Sequence, residues 1–283
     1  LRLRVYAPVG ELVPGMAYLV RRLLENTSNE SFVRHRFAEG RDLDELLATP
    51  APGDLPSATR AEVRVATDAE VPAPYQPEPV AEWRRPSARA DMASALAHVD
   101  AELGAPVPGL IGGDQVTTPA TLASVDPAHP DTVVAYAASC TVADVDAAVA
   151  VAVDAAAGWR RTPARDRAAV LFRAADWLRH RRHAIAALEC VEAGKPWDQS
   201  DGDACEAIDF CEYYGREVLR LDAASADLVQ SPPGETNRLT YQGKGVTAVI
   251  APWNFPLAIP TGMTVAALVA GNPVILKPAE QTP

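Results

Sequence analysis

Near the carboxyl end, two short apolar runs, residues 245–250 and 273–276, are held apart by an apolar helical stretch over 257–270. Short runs bounded by Gly and Pro read as buried strands, and the longer stretch between them as a helix. This β-α-β order belongs to an α/β domain with parallel central strands. The first run ends in Pro252-Trp253-Asn254-Phe255-Pro256, and the second in Lys277-Pro278-Ala279-Glu280. Polar groups just past the carboxyl ends of two such strands describe half of a dinucleotide-binding crevice.

The chain has 283 residues, 48% of them hydrophobic, which is enough for a sizeable core in one or two domains. It holds no run of about 18 apolar residues and no secretory signal, and a cytoplasmic protein is expected. It opens on Leu1-Arg2-Leu3-Arg4-Val5-Tyr6, the alternation of a strand, so an amino end cut within an element is expected. A net charge of −11 argues against nucleic-acid binding through the phosphate backbone. The four cysteines, Cys140, Cys190, Cys205 and Cys211, form no C-x-x-C pair and no histidine cluster accompanies them. They read as small core or surface residues rather than as a zinc site, disulfides or nucleophiles.

Residues 1–48 form one block: a strand over 1–6, a helix over 16–26 and a further helical piece from Asn29 towards Phe37. Pro50, Pro52, Pro56, Pro72, Pro74, Pro77, Pro79 and Pro86 punctuate the next stretch, which reads as a linker with extended segments. A short helix is expected over 91–103. Two short strands follow, over 121–125 and 132–137, joined by a turn rich in Asp and Pro. Thr141 with Asp144 marks a helix start, and that helix runs to about residue 157. Helices are expected over 165–182 and 184–193, stopped by Gly194, and over 206–219; a strand is expected over 239–242.

Asn254 sits in a turn fixed by Pro252 and Pro256. An amide held there can donate a hydrogen bond to an oxyanion, a device worth about 3 kcal/mol to a transition state. The alternative is a cap on the helix that starts near Leu257. Lys277 and Glu280 offer a cation and a carboxylate that suit ribose hydroxyls and a nearby phosphate; otherwise they are a solvated loop pair.

The Pro-Trp-Asn-Phe-Pro and Lys-Pro-Ala-Glu sequences resemble motifs of the aldehyde dehydrogenase superfamily. The resemblance spans about residues 108–283 and includes Glu192-Ala193-Gly194-Lys195-Pro196 and Glu206-Ala207-Ile208-Asp209-Phe210-Cys211. It implies Asn254 as the catalytic amide, Lys277 and Glu280 on the adenosine ribose of NAD, and Ile250, Ala251, Pro252 and Trp253 lining the nicotinamide side. Carboxylate binding to the ribose favours NAD over NADP. The block around Phe210 is similar to the L-glutamate γ-semialdehyde dehydrogenase branch, where Phe210 would pack beside the aldehyde and Glu206 would lie near the substrate end of the tunnel. For both, plain structural readings stay open: Phe210 as core, Glu206 as a solvated helix charge. The family's Gly-Gln-x-Cys nucleophile and Glu-Leu-Gly-Gly base motifs do not occur in these residues, so no catalysis is expected from them alone.

At the amino end, Arg21 and Arg22 are adjacent on the expected helix, with Tyr18 before them and Glu25 after. Adjacent side chains diverge by about 100° around a helix, so two guanidinium groups grip one carboxylate only at a concave wall. The alternative is a surface pair with Arg21 and Glu25 in an i,i+4 ion pair. Residues 1–40 resemble the last strand and helix of the proline dehydrogenase barrel. That implies Arg21 and Arg22 on the proline carboxylate above FAD, Tyr6 and Tyr18 shaping the pocket, and Glu25 pairing with an arginine as a gate.

Taken in order, the chain resembles the bifunctional proline utilization A family. The expected fold is α/β: the C-terminal tail of a flavin-binding β/α barrel (1–48), a Pro-rich linker and short helix (49–107), then the N-terminal, Rossmann-like part of an aldehyde dehydrogenase fold (108–283). The implied chemistry is FAD-dependent oxidation of proline to pyrroline-5-carboxylate, ring opening to L-glutamate γ-semialdehyde, and NAD-dependent oxidation to glutamate. Two other readings stay open: an aldehyde dehydrogenase of other specificity, and a non-catalytic nucleotide-binding or scaffold module. The resemblance also implies homo-oligomers of the full-length protein and peripheral membrane association, although no amphipathic signature for the latter is visible here.

Overall fold

The computed structural model describes residues 73–227, 233, 237 and 239–283. The expectations for residues 1–72, with Tyr6, Tyr18, Arg21, Arg22 and Glu25, lie outside the described residues. The described elements are α1 (Pro86–Glu102), β1 (Ala105–Val107), β2 (Gly109–Ile111), β3 (Asp114–Val116), β4 (Thr121–Asp126), β5 (His129–Ala138), α2 (Val142–Arg161), α3 (Ala164–Glu192), α4 (Trp197–Asp227), β6 (Thr247–Ile250), α5 (Ala258–Val269) and β7 (Val274–Lys277). No helix among them is long and apolar enough to cross a membrane.

Helix starts follow local chemistry. Thr141 and Asp144 close a reciprocal capping box at α2: the Asp144 amide donates to Thr141 Oγ1 at 3.4 Å, and the Thr141 amide donates to Asp144 Oδ2 at 2.7 Å. Residues expected as two helices form one, α3, because no Gly or Pro interrupts 164–192. It stops where Gly194 adopts a φ of 65°, the left-handed conformation glycine takes without penalty. Helix α4 starts at Trp197, before the expected 206, and runs on to Asp227. β1, β2 and β3 are each three residues, too short for a periodicity to show. The β2–β3 hairpin turns on Gly112 and Gly113, both with positive φ, as a two-residue turn requires. Residues 239–242 were expected as a strand and form none; they pair with no other described strand.

The core lies where α3, α4 and α5 meet. Leu171, Ala175 and Leu178 of α3 recur at helical spacing and pack on Ala207, Ile208 and Cys211 of α4 and on Val265 and Val269 of α5. Each fully buried Leu or Ile contributes about 1.5–3 kcal/mol. Met92 of α1 heads a second cluster with Ala186 and Ala187 of α3, flanked by Trp83 and Trp197.

The Pro-rich segment before α1 lies along α3 and α4. Prolines keep it out of strand ladders, so its backbone groups find side-chain partners instead. The Glu78 amide donates to Asp209 Oδ1 and the Ala81 amide to Asp201 Oδ2, both at 2.7 Å. Arg182 Nη1 and Arg216 Nε donate to the carbonyls of Pro79 and Ala73, at 2.8 Å each.

β4 and β5 form an antiparallel pair with a bulge near Val125, and β1 joins β5 in parallel. β6 and β7 pair in parallel through the α5 crossover, in the register Thr247↔Val274 to Ile250↔Lys277. The β-α-β unit expected from the sequence is present. Its strands are not buried throughout: Val249 is 3% exposed, whereas Ile250 is 71% and Leu276 45% exposed, because no described element covers those side chains.

Candidate functional site

Parallel pairing places the ends of β6 and β7 side by side. Ile250 is in register with Lys277, and the Ala251 amide donates to the Lys277 carbonyl at 3.1 Å. The Pro252–Pro256 turn and the Lys277–Glu280 turn therefore leave the sheet from the same, carboxyl-terminal end of the strands. Trp253, Glu280, Gln281 and Thr282 line a cleft of about 420 Å³ with Ser124, Pro127 and Glu192. Burial pushes the Glu192 carboxyl up to about 7, opposed by the Ser124 hydroxyl, which lies 3.4 Å from Glu192 Oε1 and 2.8 Å from the Gln281 carbonyl.

Trp253, Asn254 and Phe255 are exposed, Pro252 is half-buried and Ala251 is buried. The Asn254 amide makes no hydrogen bond to a described residue and does not cap α5. Asp203 of α4 does that work: its Oδ2 accepts from the Leu257 amide at 3.1 Å and from the Ala258 amide at 3.3 Å. A carboxylate there satisfies orphan amides and complements the positive end of the helix dipole.

Asp203 belongs to a buried group. Lys195 Nζ lies 3.3 Å from Glu189 Oε2 and 3.4 Å from Asp203 Oδ1, with side-chain exposures of 8%, 4% and 0% for Lys195, Glu189 and Asp203. The ammonium thus lies within ion-pair distance of both carboxyl groups, outside hydrogen-bond geometry. Burial pushes Glu189 up to about 9; the neighbouring Asp203 carboxylate adds to this and Lys195 opposes it. Lys195 Nζ also sits 4.6 Å from the centroid of the Phe255 ring, a cation–π contact.

Lys277 and Glu280 pair with each other, Nζ to Oε1 at 2.8 Å, both well exposed. The hydrogen bond from Lys277 holds the Glu280 carboxyl below its ordinary range. Glu206 is exposed on α4; desolvation and then the Asp203 charge raise its carboxyl, with Lys195 opposing. Phe210 is half-buried against the core, stacks on Tyr214 at 5.8 Å, and lies so close to Gly262 of α5 that a β-carbon there would come within 2.8 Å of its ring.

Reading the sequence singled out Asn254, Lys277 and Glu280 but missed Glu189, Lys195, Asp203 and Glu192. Local pattern hides them, since Glu189 and Asp203 look like ordinary charges in polar helices; the only trace was the Glu-Ala-Gly-Lys-Pro sequence around Lys195. Burial raises the thiols of Cys190, Cys205 and Cys211, the last two up to about 12, which leaves them inert as nucleophiles.

The model of the aldehyde dehydrogenase family matches residues 115–283, and that of proline dehydrogenase matches residues 1–35. A 1-pyrroline-5-carboxylate dehydrogenase of Geobacillus sp. is 45% identical over 210 residues, 74% of this chain and 40% of that protein; one from Bacillus subtilis is 43% identical over the same shares. The chain thus spans 40% of the length of these curated relatives. Among solved structures, 1-pyrroline-5-carboxylate dehydrogenase from Thermus with bound NAD superimposes with a TM-score of 0.71 at 40% identity, over 74% of this chain and 40% of that one. Proline utilization A from Bdellovibrio bacteriovorus does so with a TM-score of 0.69 at 40% identity, over 98% of this chain and 28% of that one. A proline dehydrogenase match followed by an aldehyde dehydrogenase match along one chain makes it similar to proline utilization A. By the match over residues 115–283, the chain belongs to the aldehyde dehydrogenase family.

Proposed function

We propose that these residues serve an NAD-dependent oxidation of L-glutamate γ-semialdehyde to glutamate, coupled in the full-length protein to FAD-dependent oxidation of proline. The observation that carries it is the convergence of the Asn254 turn and the Lys277–Glu280 pair at the in-register ends of β6 and β7. The substrate class is supported by the relatives, which are 1-pyrroline-5-carboxylate dehydrogenases.

The residues present fit NAD. Glu280 and Lys277 offer a carboxylate for ribose hydroxyls and a cation for phosphate, and their ion pair keeps the two side by side. Ile250, Ala251, Pro252 and Trp253 would line the nicotinamide side. When bound, NAD supplies the hydride acceptor.

Attack of a thiolate on the aldehyde places negative charge on the carbonyl oxygen. The Asn254 amide, exposed and uncommitted, donates to that oxyanion. Phe210 and Glu206 would face the substrate end. These 283 residues hold no Gly-Gln-x-Cys sequence and three of the four cysteines are held as thiols, so the chain alone is proposed to be inactive. On the proline side, Arg21 and Arg22 would bind the carboxylate, with Tyr6, Tyr18 and Glu25 around it; the match to proline dehydrogenase supports this. Homo-oligomers, peripheral membrane contact and a cytoplasmic setting belong to the same reading.

The test follows NADH with the full-length gene product, first from pyrroline-5-carboxylate and then from L-proline with an electron acceptor for the flavin. NADH from both is the expected result. NADH from pyrroline-5-carboxylate alone retires the proline half. NADH from other aldehydes only overturns the substrate.

A further inference from the structure

Lys195 bridges Glu189 and Asp203 in a group of ionisable side chains, each no more than 8% exposed, that the proposed chemistry does not use. Burying charge is costly, and apolar side chains of equal volume often stabilise a core as well or better. A stability role alone is therefore a weak account of this group. Its contacts point elsewhere. Asn254 itself has no side-chain partner among the described residues, so its position is inherited from the chain on either side. On one side the Lys195 ammonium lies 4.6 Å from the Phe255 ring centroid, at the residue immediately after Asn254. Beyond it, Asp203 holds the amides of Leu257 and Ala258 at 3.1 and 3.3 Å, which fixes where the turn ends and α5 begins. Lys195 and Asp203 are 3.4 Å apart, so the two clamps are joined, and Glu189 closes the group from α3.

We propose that Lys195 and Asp203 are positioning residues for Asn254, joined through their ion pair into one clamp that aims the turn amide. This rests on the reading of Asn254 as the oxyanion donor. An amide must be held within about 0.5 Å to act in this way, and misplacement by about 1 Å can cost on the order of 10²-fold in rate.

A double-mutant cycle on the full-length gene product decides it, with NADH formation from pyrroline-5-carboxylate as the readout. Lys195→Met is expected to lower kcat about 10- to 100-fold while KM for the aldehyde and for NAD stays within about threefold, because the interaction acts in the transition state. Lys195→Arg keeps a cation over Phe255 and recovers most of that loss. In an Asn254→Ala background, Lys195→Met has nothing left to aim and costs little more. Losses that multiply, or a change in KM alone, overturn the clamp while leaving Asn254 as the donor. If Asn254→Ala leaves kcat unchanged, both readings fall. Should Lys195→Met not fold, Phe255→Leu removes only the ring from the contact and enters the same cycle, with the same two outcomes.

Discussion

At the scale of the residue, Glu189 shows what burial does to a carboxyl held inside the helix packing. Burial moves its carboxyl from an ordinary 4.5 up to about 9, with Asp203 adding to the shift. The folded state therefore holds this proton more tightly than the unfolded chain does. Its contribution to stability is fully present below about 4.5, is lost as pH rises, and is gone at about 9, where the folded state also releases the proton. Glu189→Gln imitates the protonated form at every pH. Its stability relative to the parent is expected to rise steadily from pH 5 to 9 and then level off, as read from urea unfolding across that range. A difference independent of pH would show that Glu189 ionises normally.

At the scale of the element, α4 organises much of the described structure through its carboxylates. Asp201 accepts from the Ala81 amide at 2.7 Å and from Arg182 Nε and Nη2 at 2.6 and 2.7 Å, while fully buried. Asp203 caps α5 and Asp209 takes the Glu78 amide. Three carboxylates of one helix thus tie down the Pro-rich segment and the α5 start, neither of which can satisfy its own backbone. Asp201→Ala leaves Arg182 without its bidentate partner and the Ala81 amide without an acceptor. A loss of about 3 kcal/mol is expected, measured by denaturant unfolding. A loss below about 1 kcal/mol would mean that Glu78, 3.8 Å from Arg182, takes over the pairing. None of this was legible in the sequence, where Asp201, Asp203 and Asp209 are separate acidic positions in a helix of mixed composition; the backbone amides they hold lie 54 to 131 residues away.

At the scale of the whole molecule, two clusters share the long α3 helix, one around Leu171 and Ile208 and one around Met92. The second holds no residue of the candidate site. Met92→Ala opens a cavity at a fully buried position and is expected to cost about 2–4 kcal/mol. Read on the full-length gene product, the affinity for NAD should stay within about twofold; a larger change would couple α1 to the ends of β6 and β7. The sequence by itself determined the β6–α5–β7 order, the α2 start at Thr141 and the α3 stop at Gly194. It also placed Asn254, Lys277 and Glu280 after their strands. These follow from signals that act within a few residues: apolar period, a capping box, Pro and Gly backbone limits. It erred where elements are too short for a period, as in β1 to β3, and where an apolar pair such as Leu239 and Tyr241 suggested a strand without a neighbour to pair with. Only the tertiary structure decided that Asp203 rather than Asn254 caps α5, that Lys195 lies against Phe255, and that Glu189 keeps its proton. Each depends on burial and on contacts between residues distant in sequence, and desolvation of a charge leaves no mark on the local pattern.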